Sequence, residues 1–204
     1  VYVGAEEKEK IEGYIPDNQG ENISSKNPYF CELTGLYWAW KNLDVDYIGL
    51  VHYRRYFTEK RKVTKDENAK FNCVLTREEV EEKLKNAEVI LPKERNYFIE
   101  NLYDHYKHTM YIEPLDKTRK IIEEKYPEYI AEFDKLKTRK KAHMFNMFIM
   151  KREKCNAYCE FLFPVLGEIE KQIDVTKLSS FHARVFGRIS ELLLDVWIEA
   201  NRES

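Results

Sequence analysis

Phe30, Leu33, Leu36, Tyr37 and Trp40 recur at intervals of three and four residues, and that spacing predicts an amphipathic helix over 28–42. Asn27 followed by Pro28 marks its start: a capping side chain, then a proline whose fixed φ suits the first turn. The run Asp46–Tyr53 is short and rich in β-forming residues, which predicts a buried strand. Thr76-Arg77-Glu78-Glu79 is a capping box that opens a helix to about Asn86. Glu88–Leu91 predicts a second strand, stopped at Pro92. Helices are expected near 99–108, 116–125 and 127–140, and a strand over Phe145–Met150. A further helix covers Glu153–Ile173 and contains Pro164, which should kink it. Ser179 or Ser180 is expected to cap a last long helix, with Phe181, Val185, Ile189, Leu192, Val196 and Trp197 on its buried face.

Between these elements lie two polar stretches. After Val1-Tyr2-Val3, residues 4–26 are turn-rich and read as a long loop. Thr58–Lys70 is almost wholly charged or polar, with five basic and three acidic residues, and is expected to be a mobile loop. Strands separated by helices argue for an α/β fold, with a mostly parallel sheet flanked by helices and a helical C-terminal half. The 204 residues suit one domain spanning 1–204. In parallel sheets ligands sit beyond the carboxyl ends of the strands, which selects His52–Tyr56, Pro92–Asn96 and Asn146–Lys151.

Composition narrows the function classes. Lys and Arg number 34 against 36 Asp and Glu, a net charge of −2, so the basic excess of a nucleic-acid binder is missing. Hydrophobic residues make up 43%, enough for a core and too many for a disordered chain. Tyr37, Trp38 and Trp40 are assigned to that core. No apolar run approaches the roughly 18 residues of a membrane span, and no signal peptide is seen, so the expected compartment is the cytosol. Cys31, Cys73, Cys155 and Cys159 form no CxxC pair and are expected to be free thiols.

The strongest chemical signal is His52-Tyr53-Arg54-Arg55-Tyr56. In an extended segment His52 and Arg54 would share one face, roughly 6–7 Å apart, a spacing that suits adjacent phosphates. Cationic groups ending a buried strand need an anion or a carboxylate beside them. No glycine-rich phosphate loop and no HExxH motif is present. Asp44-Val45-Asp46 resembles a metal-binding DxD pair but precedes its strand and reads as a solvated turn. Asp17 and Asn22, in the polar loop, are either ligand contacts or turn formers. Glu32 is a helix-dipole partner or a counter-ion for Arg54 or Arg55. Asn146 lies in an apolar strand, and its amide needs partners, for which a sugar is one candidate. Arg184, Arg188, Glu191 and Asp195 recur on one helix face, a pattern that also makes ordinary surface ion pairs. His105 and His108, with Asp104 beside them, lack the further ligands a metal would want.

Several of these segments together resemble bacterial capsular and exopolysaccharide glycosyltransferases, a family long catalogued as a domain of unknown function. The resemblance runs through Asp17–Ile23, Asn27–Trp38, Tyr47–Phe57, Ile90–Pro92, Asn146–Met150 and Arg184–Glu191, in order. The chain departs from the family at Met110 and Pro114, where a His and an Asp are frequent, and the family's first strand is expected to be missing before Val1. The resemblance implies a GT-A-like nucleotide-sugar fold. The implied reaction moves a hexose, galactose or galactofuranose, from a nucleotide-diphosphate sugar to a lipid-linked saccharide. His52, Arg54 and Arg55 would then stabilise the leaving diphosphate, with no metal or with weakly bound Mn or Mg. Glu191 is the first candidate for the base that takes the acceptor proton and His182 the second. Asp17, Asn22, Glu32, Asn146 and Arg184 are the remaining candidate substrate contacts. Two alternatives stand beside this one: a non-catalytic module of a polysaccharide-assembly complex, and a sugar-phosphate transferase using the same arginines. The basic run Lys135, Lys137, Arg139, Lys140, Lys141 is a candidate for peripheral contact with the inner membrane face, or simply a helix end complementing its dipole.

Overall fold

The structure, a computed structural model, describes residues 1–59 and 66–202. The predicted helix over 28–42 is two helices, α1 (Asn27–Phe30) and α2 (Leu33–Asn42). Cys31 separates them with φ of 54°, and the Asn27 side chain donates to the carbonyl of Cys31 at 2.8 Å. Strand β1 (Tyr47–Leu50) follows, then α3 (Glu67–Lys70) and α4 (Arg77–Leu84). The capping box of α4 is complete, Glu79 N–H donating to the Thr76 hydroxyl and Thr76 N–H to the Glu79 carboxylate. Of the expected mobile loop over 58–70, residues 60–65 lie outside the described residues, Glu59 pairs with Lys83, and Glu67–Lys70 form α3 in place of loop.

Strands β2 (Val89–Ile90) and β3 (Arg95–Asn96) precede α5 (Leu102–Thr109), α6 (Glu113–Lys125) and α7 (Ile130–Asp134). Strands β4 (Lys141–Ala142) and β5 (Phe148–Lys151) lead into the long helices α8 (Arg152–Glu170) and α9 (Val185–Ala200). The α/β class holds, but the mostly parallel sheet does not. The order is β1-β5-β2, with β5 antiparallel to both neighbours, and β3 pairs antiparallel with β4. β1 and β2 point the same way, yet β5, arriving from much later in the chain, lies between them. Helices between strands predict parallel pairing only when successive strands become neighbours, and here they do not.

The core gathers on α8 and α9, where Leu162, Val165, Leu166, Ile189, Leu193 and Leu194 are fully buried, with Phe148 and Met150 of the sheet beneath them. Phe181, predicted on the buried face of the last helix, is half exposed because a short 3-10 turn, His182–Arg184, precedes α9 and swings it outward. All four cysteines are free. No helix among the described residues is long and apolar enough to cross a membrane. Within the basic run Lys135 pairs with Glu132, Arg139 lies 3.7 Å from Glu199, and Lys140 donates to the carbonyl of Phe98.

Asp195, wholly buried on α9, ties that helix to the residue after β4. His143 donates its backbone N–H to Oδ2 at 2.7 Å, and its ring Nδ1 lies 2.5 Å from Oδ1. Burial disfavours the charged imidazole. The hydrogen bond to Asp195, that carboxylate's charge and Glu94 outweigh it, so the His143 pKa stands above its ordinary 6.5. The folded chain therefore holds this proton more tightly than the unfolded one. The contribution to stability is whole below pH 6.5 and is lost as pH rises through the folded value. Thermal melts from about pH 6 to 9 are expected to show a steeper fall in Tm for the wild type than for His143→Gln. Identical slopes for the two proteins would show that the pair is uncoupled from folding.

Candidate functional site

The chain leaving β1 does not stay extended through Tyr56. Arg55 N–H donates to the His52 carbonyl at 2.9 Å and closes a tight turn over Tyr53-Arg54. His52, Arg54 and Arg55 are therefore brought together by a turn, not by the alternating faces of a strand. His52 Nδ1 lies 3.4 Å from Arg55 Nη1. Because β1 runs antiparallel to β5, its carboxyl end lies beside the residues that lead into β5. The Arg55 guanidinium accordingly stacks over the Phe145 ring, 3.9 Å from its centre, and Arg54 lies 4.7 Å from the Tyr53 ring centre.

The opposite wall is built by the elbow between α1 and α2 and by the first turns of α9. Gly187 makes their approach possible: a Cβ there would come within 3.2 Å of Cys31 Sγ. Arg184 Nε donates to that sulfur, also at 3.2 Å. Asn146 fastens the two walls from below. Its amide nitrogen donates to Glu32 Oε1 at 2.7 Å and to the Gly187 carbonyl at 3.1 Å, and its oxygen accepts from the Ser190 hydroxyl at 2.9 Å. Phe145 and Asn146 hold this position with φ of 75° and 53°, two successive left-handed residues that are not glycine. Such conformations cost roughly 1–3 kcal/mol each and survive where the surroundings over-determine them.

The result is a cleft of about 180 Å³ lined by Arg54, Arg55, Arg184 and Arg188 against Glu32 and Glu191. Arg188 Nη1 reaches Glu191 Oε1 at 3.7 Å. No carboxylate among the described residues pairs with Arg54, Arg55 or Arg184. Glu191 is 6% exposed, and its Oε2 has no hydrogen-bond partner. Burial first, then the charge of Glu32, push its pKa from 4.5 up to about 7, against the pull of Arg188, the Phe145 amide and Arg184. His52 is held below its usual value by burial and by Arg55, so its ring is neutral near pH 7. Burial also raises the Cys31 thiol. Beyond His52 and Arg184 the cleft opens into a groove of about 820 Å³ that carries Tyr2, Tyr14, Tyr53 and Tyr56.

His52, Arg54, Arg55, Glu32, Arg184 and Glu191 thus converge as the sequence suggested. Four other candidates lie outside the lining of the cleft. Asp17 is wholly buried and accepts from Gly4, Ala5, Ser24 and Thr34, so it has no face for a ligand. Asn22 shapes its own turn, donating to Gly20 and accepting from Ser24 N–H. Asn146 spends its amide on protein partners, as above. His182 stands outside the cleft, hydrogen-bonded to Ser179 and tilted against the Tyr111 ring. Arg188 and Phe145 were missed as site residues. Arg188 was visible as part of a charged helix face, but that face reads as surface, whereas Glu191 and Asp195 on it are buried. Phe145 carries no signal in the sequence, because its place depends on a backbone conformation that no local pattern announces.

A model of the family described as a domain of unknown function, DUF4422, matches residues 1–202. Among solved structures the chain is similar to the apo structure of WbbM, a bifunctional glycosyltransferase, with a TM-score of 0.88 and 31% identity. The similarity covers 97% of this chain and 38% of that one, so the chain spans well under half of that protein. No curated protein matches it.

Proposed function

We propose that this chain, which belongs to the DUF4422 family, is a glycosyltransferase domain that moves a hexose from a nucleotide-diphosphate sugar to a saccharide hydroxyl. The observation that carries the reading is the cleft itself, where four guanidiniums face two carboxylates, one of them buried and half-protonated near pH 7. Guanidinium forks match phosphate oxygens, and fixed cations stabilise a departing diphosphate. Arg54, Arg55 and Arg184 would hold the diphosphate, with neutral His52 as a further polar contact. The tyrosine-lined groove beside them would take the nucleoside. The Glu191 carboxylate would accept the proton of the attacking hydroxyl as that oxygen bonds to the sugar's anomeric carbon. The bond from that carbon to the diphosphate oxygen breaks, and its electron pair leaves with the diphosphate. Similarity to the WbbM structure supports the reaction class.

A divalent ion fits the donor set poorly. The cleft offers two carboxylates among four cations, and among the described residues no three His, Cys, Asp or Glu side chains are placed to hold a metal ion. A galactose or galactofuranose donor, a GT-A-like ancestry and a lipid-linked acceptor remain part of the proposal. So does membrane contact through the outward-facing Lys137, Lys140 and Lys141.

Calorimetry with inorganic pyrophosphate and nucleoside diphosphates tests the reading. Arg54→Ala and Arg55→Ala should each weaken binding by about tenfold or more, the worth of a charge-assisted hydrogen bond. Both side chains are exposed, so the fold should survive. Unchanged affinity in both variants would make the cluster structural. Slow release of diphosphate from a panel of nucleotide sugars would separate an enzyme from a binding module.

A further inference from the structure

Between β3 and α5 the chain turns outward and presents Phe98 and Ile99 to solvent. Ile99 is 88% exposed and Phe98 75%, the two highest values among the large hydrophobic side chains of the described residues. A single exposed apolar residue is ordinary on a protein surface, whereas two in succession at the tip of a loop point to a partner. Local hydrogen bonds hold the tip in this form. Asn96 Oδ1 accepts the Phe98 N–H at 2.9 Å, and Lys140 Nζ donates to the Phe98 carbonyl at 3.2 Å. The surroundings of the tip are cationic. Asn96 of β3 sits opposite Lys141 of β4, and Tyr97 N–H donates to the Lys140 carbonyl at 2.8 Å, so the tip runs beside the basic stretch. Lys137, Lys140 and Lys141 are exposed, and none of them forms an ion pair with a described residue. Lys137 lies over the Tyr103 ring, 5.3 Å from its centre. The carboxylates nearby are engaged: Glu100 lies 3.2 Å from His105 and 3.1 Å from His108, Asp104 accepts from the Asn101 amide at 2.7 Å, and Glu94 lies 3.9 Å from Arg139.

That combination selects the partner. A stable protein interface takes about 800 Å² from each side and is depleted in lysine, and two side chains at a tip supply little of it. A bilayer surface needs only apolar side chains that reach past the headgroups and lysines whose stems lie along the apolar boundary while their ammoniums stay at anionic phosphates. We propose that Phe98 and Ile99 insert into the surface of an anionic bilayer, with Lys137, Lys140 and Lys141 on its headgroups. Apolar insertion and lysine attraction are each weak alone, and together they give a reversible, peripheral attachment. The inference deepens the membrane contact offered with the transferase reading, and rests on that reading for its purpose. Tyr97, the residue before the tip, lines a small pocket with Arg188 and Glu191. A bilayer held at the tip therefore lies close to the arginine cleft, where a lipid-linked acceptor has to arrive.

The test is flotation of the whole chain with vesicles of phosphatidylcholine alone and of phosphatidylcholine mixed with phosphatidylglycerol. Binding should be stronger to the mixed vesicles and should fall with added salt. The double variant Phe98→Ser, Ile99→Ser should weaken it by about tenfold or more, and so should the triple variant Lys137→Gln, Lys140→Gln, Lys141→Gln. All five side chains are exposed, so both variants should keep the wild-type Tm. Phe98→Trp reads insertion directly: lipids brominated on their acyl chains should quench its fluorescence beyond any quenching of Trp38, Trp40 and Trp197 in the wild type. Equal recovery of the wild type and the double variant would overturn the inference. So would equal recovery with the two kinds of vesicle, or no added quenching in Phe98→Trp. Pyrophosphate affinity should be the same in the wild type and in every variant. Failure of pyrophosphate to bind the wild type would strike the transferase reading and leave the vesicle result standing, so the two failures are distinguishable.

Discussion

Glu191→Gln is expected to lower the rate of sugar transfer by about 10²–10⁴-fold, the span usual for a lost general base, and at the same time to raise Tm above pH 7. Both effects come from one burial. Glu191 is 6% exposed, and one of its oxygens has no partner. Its folded pKa of about 7 lies above the ordinary 4.5, so the folded chain binds this proton more tightly than the unfolded chain. The associated stability is whole below about pH 4.5 and is lost as pH rises through about 7. Above that pH the buried charge costs on the order of 3 kcal/mol, from the gap between the two values. Glutamine has the same shape without the charge and removes that cost. Activity runs the other way. Only the carboxylate accepts a proton, so kcat/KM of the wild type should climb with pH through about 7, and that limb should vanish in the variant. A variant that transfers sugar at the wild-type rate dismisses Glu191 as the base. A lower Tm for the variant at pH 8 would show that the charge is held by partners and is not a burden.

Asp17→Ala should destabilise the fold by about 3–5 kcal/mol, a large share of any domain's stability. Its carboxylate accepts from Gly4 N–H at 2.8 Å, Ala5 N–H at 2.9 Å, the Ser24 hydroxyl at 2.5 Å and the Thr34 hydroxyl at 2.7 Å. Those donors come from the N-terminal segment, the loop before α1 and helix α2, so one side chain fastens three parts of the chain. Truncation strands all four donors away from water. Burial tends to raise the Asp17 pKa, but the hydrogen bonds from Ala5, Ser24, Gly4 and Thr34 together lower it below 3.8. A depressed carboxylate contributes stability that is present above the unfolded value and is lost as pH falls through the folded one. Urea melts near neutral pH should show the loss in Asp17→Ala, and Asn22→Ala, which breaks only an exposed turn, should differ little from the wild type. Pyrophosphate affinity of the folded fraction should be unchanged in Asp17→Ala. A stable variant with lost affinity would return Asp17 to the list of ligand contacts.

These two residues mark where a sequence is readable. Asp17 precedes Asn18 and Gln19, Glu191 lies between Ser190 and Leu192, and nothing in those neighbours tells a buried clamp from a base. The capping box at Thr76 was readable because all its partners lie within four residues. The helix through Ile189, Leu193 and Val196 was readable because its apolar period repeats for four turns. The basic cluster after β1 was visible by residue type alone, yet the turn that assembles it was hidden, because Tyr53-Arg54 has none of the usual turn residues.

Strands β3 and β4 carried no signal in the sequence, and the strand expected over Phe145–Met150 begins only at Phe148, after two left-handed residues. Most helix positions, strands β1 and β2, the free thiols and the identity of the cationic cluster follow from patterns a few residues long, because capping, periodicity and side-chain charge act over that range. The insertion of β5 between β1 and β2 does not. Nor does the burial that makes Glu191 a weak acid, or the clamp of Asn146 on Glu32, 114 residues away along the chain. Strand order and desolvation are set by which distant surfaces exclude water from one another, and that is decided only when the whole chain has packed.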